Sequence, residues 1–344
     1  MQNATMFSMK RVLIVTDAWH PQVNGVVTVL VKMSALLKDR GYFVHIIEPE
    51  EFVTLPLIFY PEIRLALFPK RKVSRLIKNF KPDAIHIATE GPLGFAARSY
   101  CMQHHIPFTT SYHTHFQLHI EARIGKILTR PVNAFLRWFH RPAAHTMVAT
   151  QSLMDILTTI GLEHLEIWPL GVDAELFNRA KSKEAADLQK PVFMYFGRLT
   201  PEKNVEEFLK LELPGSKLVI GDGPDRPYLE KKYEKTATFV GYKRGQELVD
   251  WLSLSDVFVF PSVTETFGLV IVEALALGIP VAAHDVMGPR DIITQGKDGY
   301  LSRDLREAAL KCLTLSPQDC RTKARQYSWE HSADAFLRHL VYLY

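Results

Sequence analysis

The sequence predicts an α/β protein with two doubly wound domains in series, each a parallel sheet covered by helices on both faces. Short apolar runs alternate with helix-sized segments along the chain, a pattern typical of parallel strands buried on both faces. The pattern starts again after Trp168-Pro169-Leu170-Gly171-Val172-Asp173. The length of 344 residues fits two domains of about 150 residues each.

The first domain begins with a strand at residues 12–15, a polar loop to Gly25 and an amphipathic helix that ends at Gly41. Its later strands are predicted at residues 43–47, 84–87, 107–110 and 147–149. The second domain has strands predicted at 192–196, 217–220, 238–240, 257–260 and 281–283.

These elements predict a first Rossmann-like domain at 1–170, a second at 171–327 and a C-terminal helix at 328–344 that packs back on the first domain. The linker lies broadly between residues 169 and 190, where the chain becomes charged and alanine-rich. Doubly wound sheets bind ligands outside the carboxyl ends of their strands. Two such domains facing each other would therefore enclose one central cleft.

Composition excludes several classes of protein. Hydrophobic residues make up 47% and charged residues 23% of the chain, as in soluble globular proteins and unlike disordered ones. Three scattered cysteines cannot form a dense disulfide framework or a paired zinc site, so we expect a reducing, cytoplasmic compartment. No apolar stretch reaches the roughly 18–20 residues of a membrane-spanning helix, and residues 1–10 lack the apolar core of a signal peptide.

The formal charge of +4 is unevenly distributed. Residues 1–170 carry 18 Lys and Arg against 12 Asp and Glu, whereas residues 171–344 carry 23 against 25. The first half also holds 11 of the 14 histidines, several of them between His104 and His119. The first predicted domain is therefore the basic one.

Gly221-Asp222-Gly223 follows a predicted strand, but Arg226 stands where a third glycine would complete a dinucleotide-binding motif. A turn that leads into a helix, with a proline near its first position, is the favoured interpretation. No G-x-x-x-x-G-K-[ST] loop is present, which argues against P-loop kinases and ATPases, and no D-x-D pair occurs.

Residues 196–204, Phe-Gly-Arg-Leu-Thr-Pro-Glu-Lys-Asn, lie where a strand ends and a helix is predicted. Arg198 can bind phosphate oxygens through its guanidinium fork, and Lys203 adds a point charge at the helix start. At about 4 Å and an effective dielectric near 20, one such charge pair contributes roughly 4 kcal/mol. The structural alternative is that both are solvated surface residues.

A second motif at residues 261–274 places Glu265 in a loop after a strand and Glu273 about two turns into the next segment. If a helix starts near Phe267, its free N–H groups offer an anion site, and the two carboxylates can accept hydrogen bonds from ligand hydroxyls. Alternatively, Glu265 caps this helix and Glu273 is a surface acid. Glu273 lies among apolar residues, however, and a buried carboxylate needs a partner.

Together these stretches resemble the retaining glycosyltransferases of family 4, which have the GT-B fold of two Rossmann-like domains. The resemblance is carried by Gly-Arg-Leu-x-x-x-Lys at 197–203, the E-x7-E pair around Phe-Gly-Leu, the opening stretch 21–26 and the linker 170–173, and it extends through Tyr327-Ser328-Trp329. Residues 90–94 and 288–289 look most similar to lipid glycosyltransferases of the sulfoquinovosyl- or mannosyl-diacylglycerol type.

The resemblance implies a metal-independent, retaining hexosyltransferase that needs no cofactor and uses a UDP- or GDP-linked sugar as donor. It also implies that the domain at 1–170 lies on the acceptor side and that the domain at 171–327 binds the donor. It implies that Arg198 and Lys203 bind the donor diphosphate, which the backbone of Gly25 approaches. Glu273 would then hold the ribose, and Glu265 the hydroxyls of the transferred sugar. Backbone contacts are expected from Phe267, Gly268 and Leu269.

Three first-domain residues complete the candidate site. His113 matches a histidine beside the donor sugar, and with Glu265, Arg198 and Lys203 it forms the expected catalytic set; a purely structural histidine is the alternative. Asp17 follows the first strand and either orients a loop or contacts the acceptor. Asp17 and Asn24 are the candidate acceptor residues.

The mechanism expected from the family is front-face transfer, in which the leaving diphosphate accepts the proton of the acceptor hydroxyl and the two cations stabilise its charge. Double displacement would need a carboxylate about 5–5.5 Å from its acid partner, a distance that a sequence does not show. A sugar-nucleotide epimerase or hydrolase on the same fold and a non-catalytic nucleotide-sugar-binding protein are the alternatives. A nicotinamide dehydrogenase is disfavoured by the interrupted glycine motif.

Two basic stretches bear on the acceptor. Arg64 to Lys81 interleaves seven cations with apolar residues, and Arg123 to Arg141 combines cations with Trp138 and Phe139. Such segments suit an anionic lipid surface, although solvated helix faces would look alike. We therefore expect a membrane lipid such as diacylglycerol or a glycolipid as acceptor, at the inner face of the cell membrane. Nucleic acid is disfavoured because no nucleic-acid-binding motif accompanies the cations.

Overall fold

The computed structural model describes residues 10–22, 24–57, 60–113, 129–177 and 188–343. The chain forms two compact units, Met1–Pro169 with Glu330–Tyr344, and Leu170–Trp329. Each unit has a six-stranded sheet in which every neighbouring pair is parallel. The predicted α/β class with two parallel sheets is confirmed.

The first unit is built around the strand order β2-β1-β5-β6-β7-β8. Its elements are β1 (Arg11–Val15), α1 (Gly25–Asp39), β2 (Phe43–Ile47), a 3₁₀ turn (Pro49–Glu51), β3 (Thr54–Leu57), β4 (Tyr60–Ala66), α2 (Lys70–Phe80), β5 (Ala84–Ile87), α3 (Pro92–Gln103), β6 (Thr109–Tyr112), α4 (Thr129–His140), β7 (His145–Val148), α5 (Gln151–Thr159) and β8 (Leu165–Ile167).

The second unit has the strand order β11-β10-β9-β12-β13-β14. Its elements are α6 (Ala174–Phe177), β9 (Val192–Phe196), a 3₁₀ turn (Pro201–Lys203), α7 (Val205–Lys210), β10 (Ser216–Ile220), α8 (Arg226–Tyr233), β11 (Thr238–Phe239), α9 (Gly245–Leu252), β12 (Val257–Phe260), α10 (Leu269–Ala276), β13 (Val281–Ala283), α11 (Pro289–Ile292), β14 (Gly299–Leu301), α12 (Leu305–Cys312) and α13 (Pro317–Ala324).

The central strands are apolar on both faces because helices cover both sides of each sheet. All five residues of β9 are buried, as are the last four of β1. In each sheet the chain order reverses at one point, between β1 and β5 and between β9 and β12. Loops that leave the carboxyl ends of these strands flank the position where doubly wound folds bind ligands.

The C-terminal helix α14 (Trp329–His339) returns the chain to the first unit. The Phe336 ring is fully buried and lies 4.9 Å from the ring of Trp168, whose indole nitrogen donates to Ser332 Oγ at 3.0 Å. Tyr342 then pairs with Ala84 in an antiparallel bridge. The last described residues therefore complete the core of the first unit.

The sequence did not predict two kinds of strand. The antiparallel hairpin β3–β4 was missed because Pro56 interrupts it, and β8 and β14 are edge strands of only three residues. No helix in the described part of the chain is long and apolar enough to cross a membrane. Outside the described residues lie Arg123, Lys126, His115, His119 and residues 178–187 of the linker region.

Candidate functional site

The second unit places the two predicted motifs next to each other. One follows β9 and the other follows β12, and these strands are neighbours in the sheet. Parallel strands end at the same edge, so the loop at 197–204 and the loop at 261–268 leave the sheet side by side. Five of the predicted donor residues lie in the second loop or in the helix that follows it.

Hydroxyl groups tie these two loops together. The carbonyl oxygen of Glu202 lies 3.4 Å from Ser262 Oγ and 3.4 Å from Thr264 Oγ1. Ser262 is fully buried, so these contacts occur inside the unit and not at its surface. The loop after β12 is thereby held against the turn that carries Lys203.

Lys203 and Glu265 form an ion pair at the junction. Lys203 Nζ donates to Glu265 Oε2 at 2.6 Å, and the two side chains are only 21% and 16% exposed. The backbone N–H of Thr266 donates to Glu265 Oε1 at 3.1 Å. Lys203 and Glu265 are therefore direct partners. The sequence resemblance assigned them to different parts of the donor, Lys203 to the diphosphate and Glu265 to the sugar.

Arg198 is anchored through its backbone. The hydroxyl of the buried Tyr195 donates to the carbonyl oxygen of Arg198 at 2.7 Å. Burial raises the pKa of Tyr195, so its hydroxyl remains a donor across the physiological range. Tyr195 thus positions the backbone of Arg198. The sequence did not indicate this contact, because Tyr195 lies within an apolar strand.

Glycines allow the loop after β9 to touch the loop after β10. A Cβ at Gly221 would lie 1.9 Å from the carbonyl oxygen of Gly197, and one at Gly223 would lie 2.3 Å from that of Leu199. These glycines allow close packing of the two loops. This role agrees with the interpretation of residues 221–223 as a turn and not as a dinucleotide-binding motif. The helix after them begins at Arg226, so Pro227 and not Pro224 occupies its first turn.

The helix α10 begins at Leu269, two residues later than predicted, because Gly268 adopts a left-handed conformation with φ 94°. The side chain of Phe267 is buried and meets the Tyr327 ring edge-on at 5.7 Å. The Phe267 ring is therefore engaged in packing, and a backbone contact of this residue with a donor stays a prediction.

Gly288 lies against the side chain of Glu265. A Cβ at this position would lie 3.0 Å from Glu265 Cγ and 2.9 Å from the carbonyl oxygen of Phe267, and its φ is 87°. Gly288 also donates its N–H to Asp291 Oδ2 at 3.1 Å. Gly288, part of the pair at 288–289 that the sequence showed only through its resemblance, therefore packs closely against the Glu265 side chain.

Glu273 lies on α10 among buried apolar residues and is half-buried itself. Its carboxyl forms no salt bridge and no side-chain hydrogen bond with another described residue, and burial alone raises its pKa to about 7. No described residue therefore supplies the partner that the sequence predicts for a buried carboxylate at this position. The hydroxyl of Thr200, 1% exposed, is likewise without a hydrogen-bond partner in the described chain.

In the first unit, Asp17 caps the start of α3. Its carboxylate accepts hydrogen bonds from the backbone N–H groups of Leu93 and Gly94 at 2.8 and 3.2 Å, and from Thr89 Oγ1 at 2.9 Å. Burial raises its pKa to about 6. A Cβ at Gly91 would lie 2.4 Å from Asp17 Cγ, which explains the glycine there.

Asn24 and Gly25 begin α1. Asn24 Oδ1 accepts from the N–H of Val27 at 3.0 Å, and Gly25 is the exposed first residue of the helix. The Asp17 and Asn24 side chains thus both have helix-capping roles. Their contact with an acceptor, and that of Gly25 with a diphosphate, stay predictions.

His113 ends a buried chain of polar groups. Its Nε2 lies 2.8 Å from Ser111 Oγ, which lies 3.1 Å from His86 Nε2. His86 Nδ1 in turn lies 2.9 Å from Thr109 Oγ1. Burial lowers the pKa of His113 to about 4 and that of His86 to about 3, so both rings are neutral near pH 7. The contacts of Ser111 with His113 and His86 were not predictable from the local residue pattern.

The structure therefore brings Arg198, Lys203, Glu265, the 267–269 backbone and Glu273 to one end of the second sheet. Asp17, Asn24, Gly25 and His113 follow strands β1 and β6 of the first sheet. In the described ranges, no group of three His, Cys, Asp or Glu side chains could hold a metal ion.

Two family profiles match the chain in series. Glycosyltransferase Family 4 covers residues 23–176, and Glycosyl transferases group 1 covers residues 177–313. A GDP-mannose-dependent alpha-mannosyltransferase of Mycobacterium tuberculosis is 30% identical over 85% of this chain and 83% of its own length. The chain belongs to glycosyltransferase family 4. It is a glycosyltransferase, and its two α/β units are those of the GT-B fold.

Two further relatives are also glycosyl-transferring enzymes, and the name of one of them includes diacylglycerol. Sulfoquinovosyl transferase SQD2 of Arabidopsis thaliana is 33% identical over 78% of this chain, which spans 58% of that enzyme's length. Alpha-monoglucosyldiacylglycerol synthase of Acholeplasma laidlawii is 29% identical over 84% of both chains. A sucrose-phosphate synthase structure from Thermosynechococcus elongatus superposes with a TM-score of 0.73 at 17% identity, over 96% of this chain and 98% of that one, which shows the shared fold.

Proposed function

We propose that this family 4 enzyme transfers a hexosyl unit from a UDP- or GDP-linked sugar to a hydroxyl of a membrane lipid, such as diacylglycerol or a glycolipid, with retention of anomeric configuration. The observation that carries the proposal is the half-buried Lys203–Glu265 pair beside Arg198 at the strand ends. The names of the relatives support the donor and acceptor classes.

The donor site uses cations and carboxyls for different parts of one ligand. Arg198 and Lys203 bind the diphosphate, and as its oxygens approach Lys203, Glu265 gains capacity to accept sugar hydroxyls. Glu273 takes the ribose hydroxyls, which supply the hydrogen bonds that its carboxyl otherwise lacks. The two side-chain cations hold the diphosphate without a metal ion.

In the proposed reaction the bond between the anomeric carbon and the diphosphate oxygen breaks while the acceptor oxygen bonds to the same carbon on the same face. The acceptor proton moves to the leaving diphosphate oxygen, whose negative charge Arg198 and Lys203 stabilise as it develops. The products are a nucleoside diphosphate and the glycosylated acceptor. Because the proposed acceptor is a membrane lipid, we expect the enzyme to act at the inner face of the cytoplasmic membrane.

The test has two steps. Thermal shifts with UDP, GDP, ADP and their hexose conjugates identify the donor, because a ligand that binds only the folded state raises its apparent stability. The donor so found is then supplied with detergent-dispersed diacylglycerol, and the product and its anomeric configuration are measured by NMR. Free sugar without transfer would indicate a hydrolase, binding without turnover a non-catalytic protein, and an inverted product would refute retention.

A further inference from the structure

Glu90 lies in the loop between β5 and α3, where the chain order of the first sheet reverses. The two neighbours of β5 in this sheet are β1 and β6, and the chain after them leads to Asp17 and His113. Doubly wound sheets bind ligands outside the carboxyl ends of their strands at such a point. Glu90 therefore stands where the first unit is expected to hold its ligand.

The Glu90 side chain is buried but has few hydrogen-bond partners. It is 7% exposed, and its Oε1 lies 3.2 Å from His140 Nε2. Its Oε2 forms no hydrogen bond with any residue that the structure describes. An ionised carboxylate can accept about four hydrogen bonds, and burial without them costs free energy. The second oxygen can thus accept from a donor outside the described chain.

Asp17 differs from Glu90 in this respect. Its carboxylate already accepts from two backbone N–H groups of α3 and from the hydroxyl of Thr89. A ligand hydroxyl would have to compete with these contacts. The contact with the acceptor that the sequence considered for Asp17 therefore suits Glu90 better.

His140 orients the Glu90 carboxylate. The ring is buried, and its Nδ1 lies 2.9 Å from Thr110 Oγ1, which lies 2.9 Å from Thr146 Oγ1. An ionised carboxylate can only accept, so His140 Nε2 carries the proton, and the Nδ1 of a neutral ring then accepts from the Thr110 hydroxyl. The buried hydroxyl thus favours the tautomer that donates to Glu90.

The backbone beside Glu90 is fixed as well. Thr89 Oγ1 accepts from the N–H of Asp17 at 2.7 Å and donates to its carboxylate at 2.9 Å. A Cβ at Gly94 would collide with the carbonyl oxygen of Thr89, so α3 packs directly against this loop. The carboxylate is therefore oriented in advance, which lowers the entropy cost of binding a ligand.

We propose that Glu90, with His140 as its positioning residue, accepts a hydrogen bond from a hydroxyl of the acceptor that does not react. This deepens the acceptor of the proposed function and rests on it. The reacting hydroxyl gives its single proton to the leaving diphosphate in that reaction, so another hydroxyl must donate to Glu90. The acceptor then carries at least two hydroxyls, as the sugar of a glycolipid does and diacylglycerol does not.

The first experiment compares dihexanoylglycerol with its monoglucosyl derivative as acceptors. Wild type should transfer to the glucosyl lipid with a kcat/KM at least about tenfold higher, because only this lipid supplies the second hydroxyl. Glu90→Met should lose this preference and keep its KM for the donor within about twofold of wild type. A wild type without the preference, or a Glu90→Met variant that retains it, would refute the proposal.

The second experiment tests direct contact with deoxy analogues of the glucosyl lipid. Removal of the hydroxyl that donates to Glu90 should lower the kcat/KM of wild type by about tenfold and should not lower that of Glu90→Met further. A variant that is merely destabilised would instead lose the same factor with every analogue. Equal penalties in wild type and variant for every non-reacting hydroxyl would contradict the contact.

The third experiment tests His140 through the KM for the glucosyl lipid. His140→Met removes the donor to Glu90 and should raise this KM by about tenfold. His140→Gln, which retains an N–H donor, should stay within about threefold of wild type. Asp83→Ala is the control, since it removes a hydrogen bond from Arg11 N–H at the amino end of the same strand. An equal rise of KM in His140→Met and Asp83→Ala would refute a positioning role.

These outcomes are separable from the proposed function. Transfer to both lipids at equal rates by wild type and Glu90→Met would refute the role of Glu90 and keep the lipid glycosyltransferase. Absence of transfer to either lipid would refute the proposed function. An NMR titration with octyl glucoside, which needs no turnover, would then decide the contact: binding about tenfold weaker in Glu90→Met would support it, and equal binding would refute it.

Discussion

At the scale of single residues, the candidate donor site contains charged side chains that are partly shielded from water. Lys203 and Glu265 hold each other at 2.6 Å, and Glu273 has no comparable partner in the described chain. Solvent screens this ion pair less than an exposed one, although its desolvation offsets part of the attraction, and in the proposed function a diphosphate replaces Glu265 as the partner of Lys203. Two substitutions test these groups separately.

Lys203→Met should lower kcat/KM for transfer by about 100-fold or more, because it removes a charge that acts on the leaving diphosphate. Stability should fall by only about 1–2 kcal/mol, since the partner carboxylate keeps its Thr266 hydrogen bond and some contact with water. Initial rates and urea unfolding measure the two effects. Lys210→Met, which removes a surface i,i+4 pair with Glu206, is the control.

The same rates should be measured for Arg198→Ala, with a comparable loss expected. Near-normal transfer by both Arg198→Ala and Lys203→Ala would remove the diphosphate role from these residues.

Glu273 should make stability depend on pH. Its pKa is raised from 4.5 to about 7, so the folded state retains a proton that the unfolded state releases between these values. Its contribution is therefore full below about pH 4.5 and is lost as pH rises through about 7, by at most about 3 kcal/mol. Glu273→Gln should flatten this dependence.

Urea unfolding at pH 5 and pH 8 checks the effect. Other carboxyls with raised pKa, such as Asp17 at about 6, are present in both proteins, so the difference between them isolates Glu273. Identical pH dependence in wild type and variant would contradict a raised pKa of Glu273.

At the scale of elements, caps and loop contacts set where helices begin. Gly268 delays α10 to Leu269, and Asn24 starts α1 by accepting from Val27. The sequence showed both residue types but not their partners. A third cap comes from Asp17, which lies in a separate part of the chain. Its carboxylate accepts hydrogen bonds from two backbone N–H groups of α3.

Asp17→Ala should destabilise the first unit by about 2–3 kcal/mol, because it leaves two buried N–H groups without acceptors. Asp17→Asn keeps one acceptor oxygen and should cost less. Thermal and urea unfolding measure both variants, with the exposed Asp39→Ala, expected within about 0.5 kcal/mol of wild type, as control. A change no larger than that of the control would show that the cap contributes little.

At the scale of the whole molecule, the chain crosses between its two compact units twice, near residues 169 and 329. The first unit is therefore discontinuous in sequence and depends on the C-terminal helix. Phe336 is its clearest link, since the ring lies 4.9 Å from both His86 and Trp168 and is fully buried.

Phe336→Ala should lower the stability of the first unit by about 3–5 kcal/mol, through lost burial and the cavity left behind. Phe208→Ala, which truncates a buried ring of α7, should act on the second unit. Scanning calorimetry should resolve these as different transitions, and the donor nucleotide should raise the one that Phe208→Ala lowers. If both variants lowered the same transition equally, the two units would not unfold as separate bodies.

The sequence by itself determined the two α/β halves, their buried strands and the residues of the two predicted donor motifs. Strand burial and loop chemistry depend on local patterns of residues, which a sequence shows directly. It could not predict that Lys203 pairs with Glu265, which is 62 positions away, or that Asp17 caps α3. Nor could it show that His140 contacts Glu90. These depend on which strand ends become neighbours, and only the packing of the folded chain decides that.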